Sequence, residues 1–167
     1  MTITHFASMT ATALLLLATL ASGISGAVAA ESPGLKRQIE RGRYLVNVAG
    51  CNTCHTAGFL ASGLRTPESS RLTGSDIGHA GPWGVSYPTN LRLYFDLITE
   101  EQWLRAARET DRRPAMPYFA LNAMSTSDLR AIYRYIRHLG PAGEPAPRAV
   151  AAGEPSPANA PLVRYGM

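Results

Sequence analysis

The chain has 167 residues and a formal net charge of +4, with 46% hydrophobic and 17% charged residues. This length suits one domain and excludes a large multidomain catalytic machine. Acidic and basic residues are mixed along the chain after residue 30, which excludes a disordered polyelectrolyte. Fifteen glycines and twelve prolines favour a compact, loop-rich fold.

The first thirty residues contain no Asp, Glu, Lys or Arg. They hold a leucine run at 14–17 followed by small residues, which is typical of a secretory signal peptide. The apolar run is shorter than the roughly 20 residues that span a bilayer, so an uncleaved membrane anchor is the alternative that we favour less. We therefore expect a signal peptide at 1–30, cleavage near Ala29–Glu31 and a periplasmic protein. The missing Lys or Arg before the leucines departs from the usual signal pattern.

Both cysteines of the chain, Cys51 and Cys54, lie just before His55. Thiols at this spacing reach the two vinyl groups of one haem, and the adjacent imidazole binds the iron. A dithiol redox centre gives His55 no role and belongs in a βαβ pattern that the chain lacks. A structural zinc site needs four ligands, and there is no second cysteine pair. The pattern predicts one covalent haem c on Cys51 and Cys54 with His55 on the iron; a haem-free dithiol or metal-binding protein is the alternative.

Three segments carry a resemblance to a known family. They are Gly42-Arg43-Tyr44-Leu45 running into Gly50-Cys51-Asn52-Thr53-Cys54-His55, then Pro114-Ala115-Met116-Pro117-Tyr118, and Asp128-Leu129-Arg130-Ala131-Ile132-Tyr133. Over about Leu35 to Pro161 the chain resembles class I, single-haem cytochromes c, closest in its second half to the small exported cytochromes that serve bacterial dehydrogenases. The resemblance implies an all-α, cytochrome c-like fold with three main helices and long loops around one covalently bound haem.

Apolar residues recur at helical spacing from Leu35 into the haem motif and again from Leu129 to Leu139. Gly42 lies inside the first pattern, where a glycine costs about 0.5–1 kcal/mol relative to alanine. Its presence predicts that the last helix packs closely on the bare backbone at this point. A tolerated surface glycine is the simpler alternative.

Capping residues mark the other helix boundaries. Ser125 followed by Asp128 predicts a last helix from about Thr126 to Leu139, which ends at Gly140-Pro141. A further helix is predicted to begin near Thr99, with Gln102 three residues later.

Two stretches lack a periodic pattern. Residues 57–87 are rich in glycine, serine and proline, which predicts a loop region wrapped on the cofactor. Residues 142–167 form a Pro/Ala-rich tail that we expect to be extended or mobile rather than folded. The cytochrome domain is accordingly assigned to residues 31–141.

The second axial ligand of the iron decides between an electron carrier and a haem enzyme or gas sensor. Met116 lies beside Pro117, and Pro114 precedes it; these prolines restrict the backbone and predict Met116 as the ligand. A core-filling Met116 is the simpler alternative. Met124 precedes the Ser125 cap, where it suits a hydrophobic staple, and Met167 lies in the tail.

Other polar residues have weaker assignments around the cofactor. Tyr87 and Asn90 are candidate cofactor-binding residues through hydrogen bonds to haem propionates or the methionine sulfur, as is Trp83. We expect His79 and His138 to be surface residues. Arg112 and Arg113 are candidates for the haem edge, with solvated loop arginines as the alternative.

With both axial positions filled, the sequence predicts a periplasmic single-electron carrier and not an enzyme, either free or as the cytochrome subunit of a dehydrogenase. The expected partners are redox proteins such as a dehydrogenase and a terminal oxidase. Sixteen basic residues against twelve acidic ones favour steering of an acidic partner. The sequence shows no basic stripe interleaved with aromatic residues, so nucleic acid is not an expected partner. Membrane association is expected only through an uncleaved N-terminus.

Overall fold

A computed structural model of the chain describes residues 32–109, 115–155 and 159–166. The predicted signal peptide and Met167 lie outside these residues, as do Arg112, Arg113 and Pro114. The helices are α1 (Pro33–Val48), α2 (Cys51–His55), α3 (Phe59–Ser62), α4 (Leu91–Leu97), α5 (Glu100–Glu109), α6 (Tyr118–Ala123) and α7 (Thr126–Leu139). The strands are β1 (Gly78–Gly81), β2 (Gly84–Ser86), β3 (Val150–Ala151) and β4 (Leu162–Arg164). Short 3₁₀ turns cover Gly63–Arg65 and Glu68–Ser70. In this part of the chain, none of the helices is long and apolar enough to cross a membrane.

The main core lies where α1 crosses α7, as the helical patterns predict. A Cβ atom built on Gly42 would lie 2.0 Å from the carbonyl oxygen of Ala131 and 2.6 Å from Cβ of Tyr135. No side chain fits in that space, so the predicted close approach at Gly42 is confirmed. The buried side chains around this crossing include Ile39, Leu45, Val46, Leu129, Ile132, Tyr135 and Ile136.

The predicted caps of α5 and α7 are present. The Thr99 hydroxyl accepts a hydrogen bond from the Gln102 amide at 3.2 Å, and the Gln102 side chain accepts one from the Thr99 amide at 2.8 Å. This reciprocal pair is a capping box. Ser125 Oγ accepts from the Asp128 amide at 3.1 Å, and α7 spans Thr126–Leu139 as predicted. The Asp128 carboxylate pairs with Arg41 of α1 at 3.0 Å.

The helix α4 was not predicted. Asn90 begins it, because its Oδ1 accepts a hydrogen bond from the Leu93 amide at 3.1 Å. The buried Arg92, 5% exposed, then donates to the carbonyl groups of Leu139 and Gly140 at the end of α7. These bonds satisfy carbonyl groups that a helix end leaves without partners, so α4 and α7 are joined through their ends.

A small sheet adds to the helices, with strand order β3-β2-β1-β4. The β1–β2 hairpin is antiparallel, β3 adds to β2 antiparallel, and β4 adds to β1 in parallel. The protein is therefore mainly helical with a four-stranded sheet, and the all-α prediction omitted this sheet. Strands of two to four residues are too short to give a period-two pattern, and their partners lie far away in the chain.

Two predictions about loop segments also need correction, because both segments contain short elements that the sequence patterns did not indicate. Residues 57–87 hold α3, two 3₁₀ turns and the hairpin, so they are not one long loop. In the described part of the tail, β3 and β4 belong to the sheet, so these residues are folded and not merely extended or mobile.

Candidate functional site

A cavity of about 280 Å³ lies among α2, the hairpin, residues 87–89 and the helices α4 to α7. Apolar side chains form most of its wall, including Leu91, Phe95, Trp103, Leu121, Ile132 and Ile136. Five of the predicted site residues also line it: Cys51, Cys54, His55, Tyr87 and Met116. The structure thus brings together residues that lie far apart in the sequence around one apolar space.

The cysteines lie on α2, which begins after a turn at Gly50. The φ angle of Gly50 is +71°, a left-handed conformation that favours glycine and lets the chain turn from α1 into α2. Cys51 and Cys54 are three residues apart on this helix, so they share one side of it. Both are free thiols and partly buried.

Burial determines the acid–base state of both thiols. It raises the pKa of Cys51 to about 11 and also raises the pKa of Cys54. Both side chains are therefore protonated at neutral pH, whereas reactive dithiol centres need a lowered thiol pKa. This environment does not suit the dithiol alternative.

A backbone carbonyl orients the His55 ring. Its Nδ1 atom lies 2.8 Å from the Thr89 carbonyl oxygen. A carbonyl only accepts hydrogen bonds, so Nδ1 carries the proton and Nε2 keeps its lone pair in the neutral ring. Burial lowers the pKa of His55, and the nearby His79 lowers it further, whereas the hydrogen bond to Thr89 raises it. The net effect is a lowered pKa. His55 is thus a neutral imidazole with one nitrogen ready to bind a metal.

The segment around Gly74 holds Thr89 in place. The Gly74 amide donates to the His55 carbonyl at 2.8 Å, and the Ser75 amide donates to the Pro88 carbonyl at 3.2 Å. Gly74 has φ of +87°, and a Cβ atom there would lie 3.0 Å from both the Asn90 nitrogen and the Pro88 oxygen. This close approach ties α2 to the segment that supplies the carbonyl group for His55.

Two methionines reach the cavity wall, Met116 and Met124. Met116 follows Ala115, whose φ angle is +74°. The Met116 carbonyl accepts a hydrogen bond from the Tyr118 amide at 2.8 Å. Met124 packs against the main core cluster, which contains Leu129, as a staple residue is expected to do. Met116 remains the predicted iron ligand.

Asn90 has a different role from the one predicted. It is 2% exposed and is not among the residues that line the cavity. Besides capping α4, its Nδ2 group donates to the carbonyl oxygens of Ala142 at 2.8 Å and Glu144 at 3.0 Å. Both donor hydrogens are therefore used within the protein, and Asn90 acts in the fold and not on a cofactor.

The other candidates divide between the cavity and the surface. Tyr87 is 8% exposed and lines the cavity. Trp83 donates its indole hydrogen to the His79 carbonyl at 3.2 Å and does not line the cavity. His138 is exposed on α7. His79, expected at the surface, is half-buried and lines the cavity, which the sequence did not indicate because the neighbouring strand β4 is distant in the chain.

Protein side chains alone do not provide a metal site in the described part of the chain. Within residues 32–109, 115–155 and 159–166, no three His, Cys, Asp or Glu side chains are grouped so that they would hold an ion. The described residues therefore do not form a structural zinc site, which needs four such ligands.

Comparison with known proteins shows similarity to a cytochrome subunit. The chain is 32% identical over 125 residues to the fructose dehydrogenase cytochrome subunit of Gluconobacter japonicus. The alignment covers 66% of this chain and 23% of that protein, so the chain spans about a quarter of the length of its relative. No family model matches the chain, and no solved structure matches it. The similarity indicates a relationship to a cytochrome subunit.

Proposed function

We propose that the chain is a c-type cytochrome of class I that carries single electrons. Cys51 and Cys54 would hold one haem through thioether bonds, and His55 and Met116 would bind its iron. The observation that carries this proposal is the cavity, because the cysteines, the oriented imidazole and the methionine all line one apolar space. The similarity to a cytochrome subunit supports it independently.

The residues present fit a haem. The apolar wall suits the porphyrin ring, and the lone pair on His55 Nε2 suits iron. Bound haem supplies a one-electron couple between ferric and ferrous iron. The soft thioether of Met116 favours the ferrous state, and the apolar wall acts in the same sense because it disfavours the additional charge of the ferric state.

We propose electron transfer rather than catalysis as the activity, since His55 and Met116 would leave no iron position open for a substrate. A haem enzyme or gas sensor would require Met116 to be displaced. The raised pKa values of the thiols count against a haem-free dithiol protein.

A dehydrogenase is the electron donor that we propose, because the relative is named as a dehydrogenase subunit. The uncharged, leucine-containing segment at 1–30 supports export, so we propose a periplasmic location. A terminal oxidase as the acceptor stays a prediction from the sequence.

The ligand set is tested with the full chain, produced together with export and haem-attachment machinery. Met116→Ala is expected to abolish the methionine-to-iron charge-transfer band of the ferric protein and to lower its reduction potential. Met124→Ala is the matched control, since Met124 lines the same cavity. An unchanged spectrum and potential in Met116→Ala would show that the ligand assignment is wrong.

A further inference from the structure

The residue that follows the C-terminal strand β4, Tyr165, places its aromatic ring against the cavity residue His79. The Tyr165 hydroxyl lies 2.8 Å from His79 Nδ1. The two rings are stacked, with centroids 5.7 Å apart and planes inclined by 26°. His79 is therefore held both by a hydrogen bond and by ring contact.

Backbone bonds fix this pair in place. β4 pairs in parallel with β1, and the Tyr165 amide donates to the Ala80 carbonyl at 2.8 Å. The centroid of the Trp83 ring lies 5.9 Å from that of the Tyr165 ring, and the Trp83 indole donates to the His79 carbonyl. The orientation of His79 thus depends on a segment near the end of the chain.

The cavity needs polar groups if it holds a haem, because haem carries two carboxylates beside its apolar ring. Buried carboxylates require hydrogen-bond donors. Among the described lining residues there is no Lys or Arg. His55 is committed to Thr89 and to the proposed iron bond, and the indole N–H of Trp103, which also lines the cavity, donates to the Leu129 carbonyl at 2.8 Å. Among the ring nitrogens of the described lining residues, this leaves His79 as a donor.

His79 has a free nitrogen for this purpose. In the described part of the chain, Tyr165 is the hydrogen-bond partner of its ring, at Nδ1. Burial lowers the pKa of His79, so the ring is neutral at pH 7 and has one N–H group. When the Tyr165 hydroxyl donates to Nδ1, the proton of the ring lies on Nε2.

We propose that His79 donates a hydrogen bond from Nε2 to a carboxylate of the bound haem, and that Tyr165 is the positioning residue that fixes this tautomer. This inference rests on the proposed function. It makes the C-terminal strand part of the cofactor site, although no sequence pattern marks it as such.

The test uses the haem-loaded full chain with ¹³C-labelled haem carboxylates. In His79→Phe, which keeps a ring against Tyr165, the carboxylate infrared bands are expected to shift. The reduction potential is expected to fall, because a carboxylate without its donor presents more negative charge to the iron and favours the ferric state. Tyr165→Phe removes one hydroxyl and is expected to change both quantities in the same direction by less.

Nitrogen NMR of the reduced protein provides a direct readout of the tautomer, with the proton expected on Nε2 of His79. His79→Gln keeps an N–H donor, so it is expected to retain most of the wild-type carboxylate band positions and reduction potential. If His79→Phe does not take up haem, the comparison of His79→Gln with wild type provides the test. His138→Gln, at an exposed site on α7, is the control.

Unchanged carboxylate bands in His79→Phe, with haem bound and the methionine band intact, would overturn this inference and leave the proposed function standing. A haem-free wild-type protein would overturn both.

Discussion

The chemistry of the site depends on single atoms that neighbouring hydrogen-bonding groups orient. The Thr89 carbonyl determines which nitrogen of His55 is free, and we propose that the Tyr165 hydroxyl fixes the tautomer of His79. Cys51, Cys54 and His55 were predicted from their spacing because the haem motif is local. The contribution of Thr89 was not predicted, because a backbone carbonyl leaves no mark in the side-chain sequence.

Gly42 provides a test of packing at a single residue. Gly42→Ala is expected to lower the free energy of unfolding by about 2 kcal/mol, because the added methyl group overlaps the Ala131 carbonyl and forces the helices apart. Gly34→Ala in the same helix is the control, since its Cβ would lie 4.0 Å from its nearest neighbour, Ser32 Oγ. Urea unfolding of the haem-loaded protein measures both, and equal stabilities would refute the close-packing argument.

Glu68 predicts a pH dependence of stability. Burial alone would raise its pKa, but hydrogen bonds from Arg43 at 2.7 Å and Tyr135 at 2.8 Å outweigh burial, and the pKa lies below the ordinary value of 4.5. A lowered pKa in the folded state stabilises the protein above pH 4.5, and this contribution is lost as the pH falls through the folded-state value.

Glu68→Gln is therefore expected to reduce the free energy of unfolding by about 1 kcal/mol at pH 7. The difference from wild type should shrink toward pH 3, as followed by urea unfolding across this range. Glu40→Gln, at an exposed position on α1, is the control. A difference that stays constant with pH would contradict the role assigned to the Glu68 charge.

At the scale of elements, helices with local signals were predicted and elements built from distant contacts were not. The capping pairs at Thr99 and Ser125 lie within three residues of their partners, so their helices α5 and α7 could be predicted. The helix α4 is held by Asn90 and Arg92, whose partners beyond α4 lie in the 3₁₀ turn Glu68–Ser70, the α7 terminus and the tail. The sheet depends in the same way on pairing between the hairpin and the tail.

Asn90 tests this reasoning for α4. Asn90→Ala is expected to cost about 2–4 kcal/mol, because it removes a helix cap and both donors to the carbonyl groups of Ala142 and Glu144. Ser125→Ala removes a cap and an exposed hydrogen bond with the Ser127 hydroxyl, and it is expected to cost about 1 kcal/mol. Unfolding by urea compares the two variants, and an equal cost would argue against the anchoring of the tail by Asn90.

At the scale of the whole molecule, helices and strands that lie far apart in the sequence line the same cavity. Its wall includes α2 near the start of the described chain and α6 and α7 near the end. The tail contributes through β4, which supports β1 and His79. The general cytochrome interpretation was accessible from the haem motif, whereas the role of the tail required the three-dimensional pairing. Residues of the predicted tail thus take part in the same fold as the predicted domain.

Covalent haem attachment is the central claim, and denaturing mass spectrometry combined with a pyridine haemochrome assay tests it most directly. The full chain, matured in cells that also load a reference c-type cytochrome, is expected to retain one haem per chain on the peptide that contains Cys51, Cys54 and His55. The double variant Cys51→Ala/Cys54→Ala is expected to retain none after denaturation. A colourless wild-type protein beside a loaded reference would contradict the account.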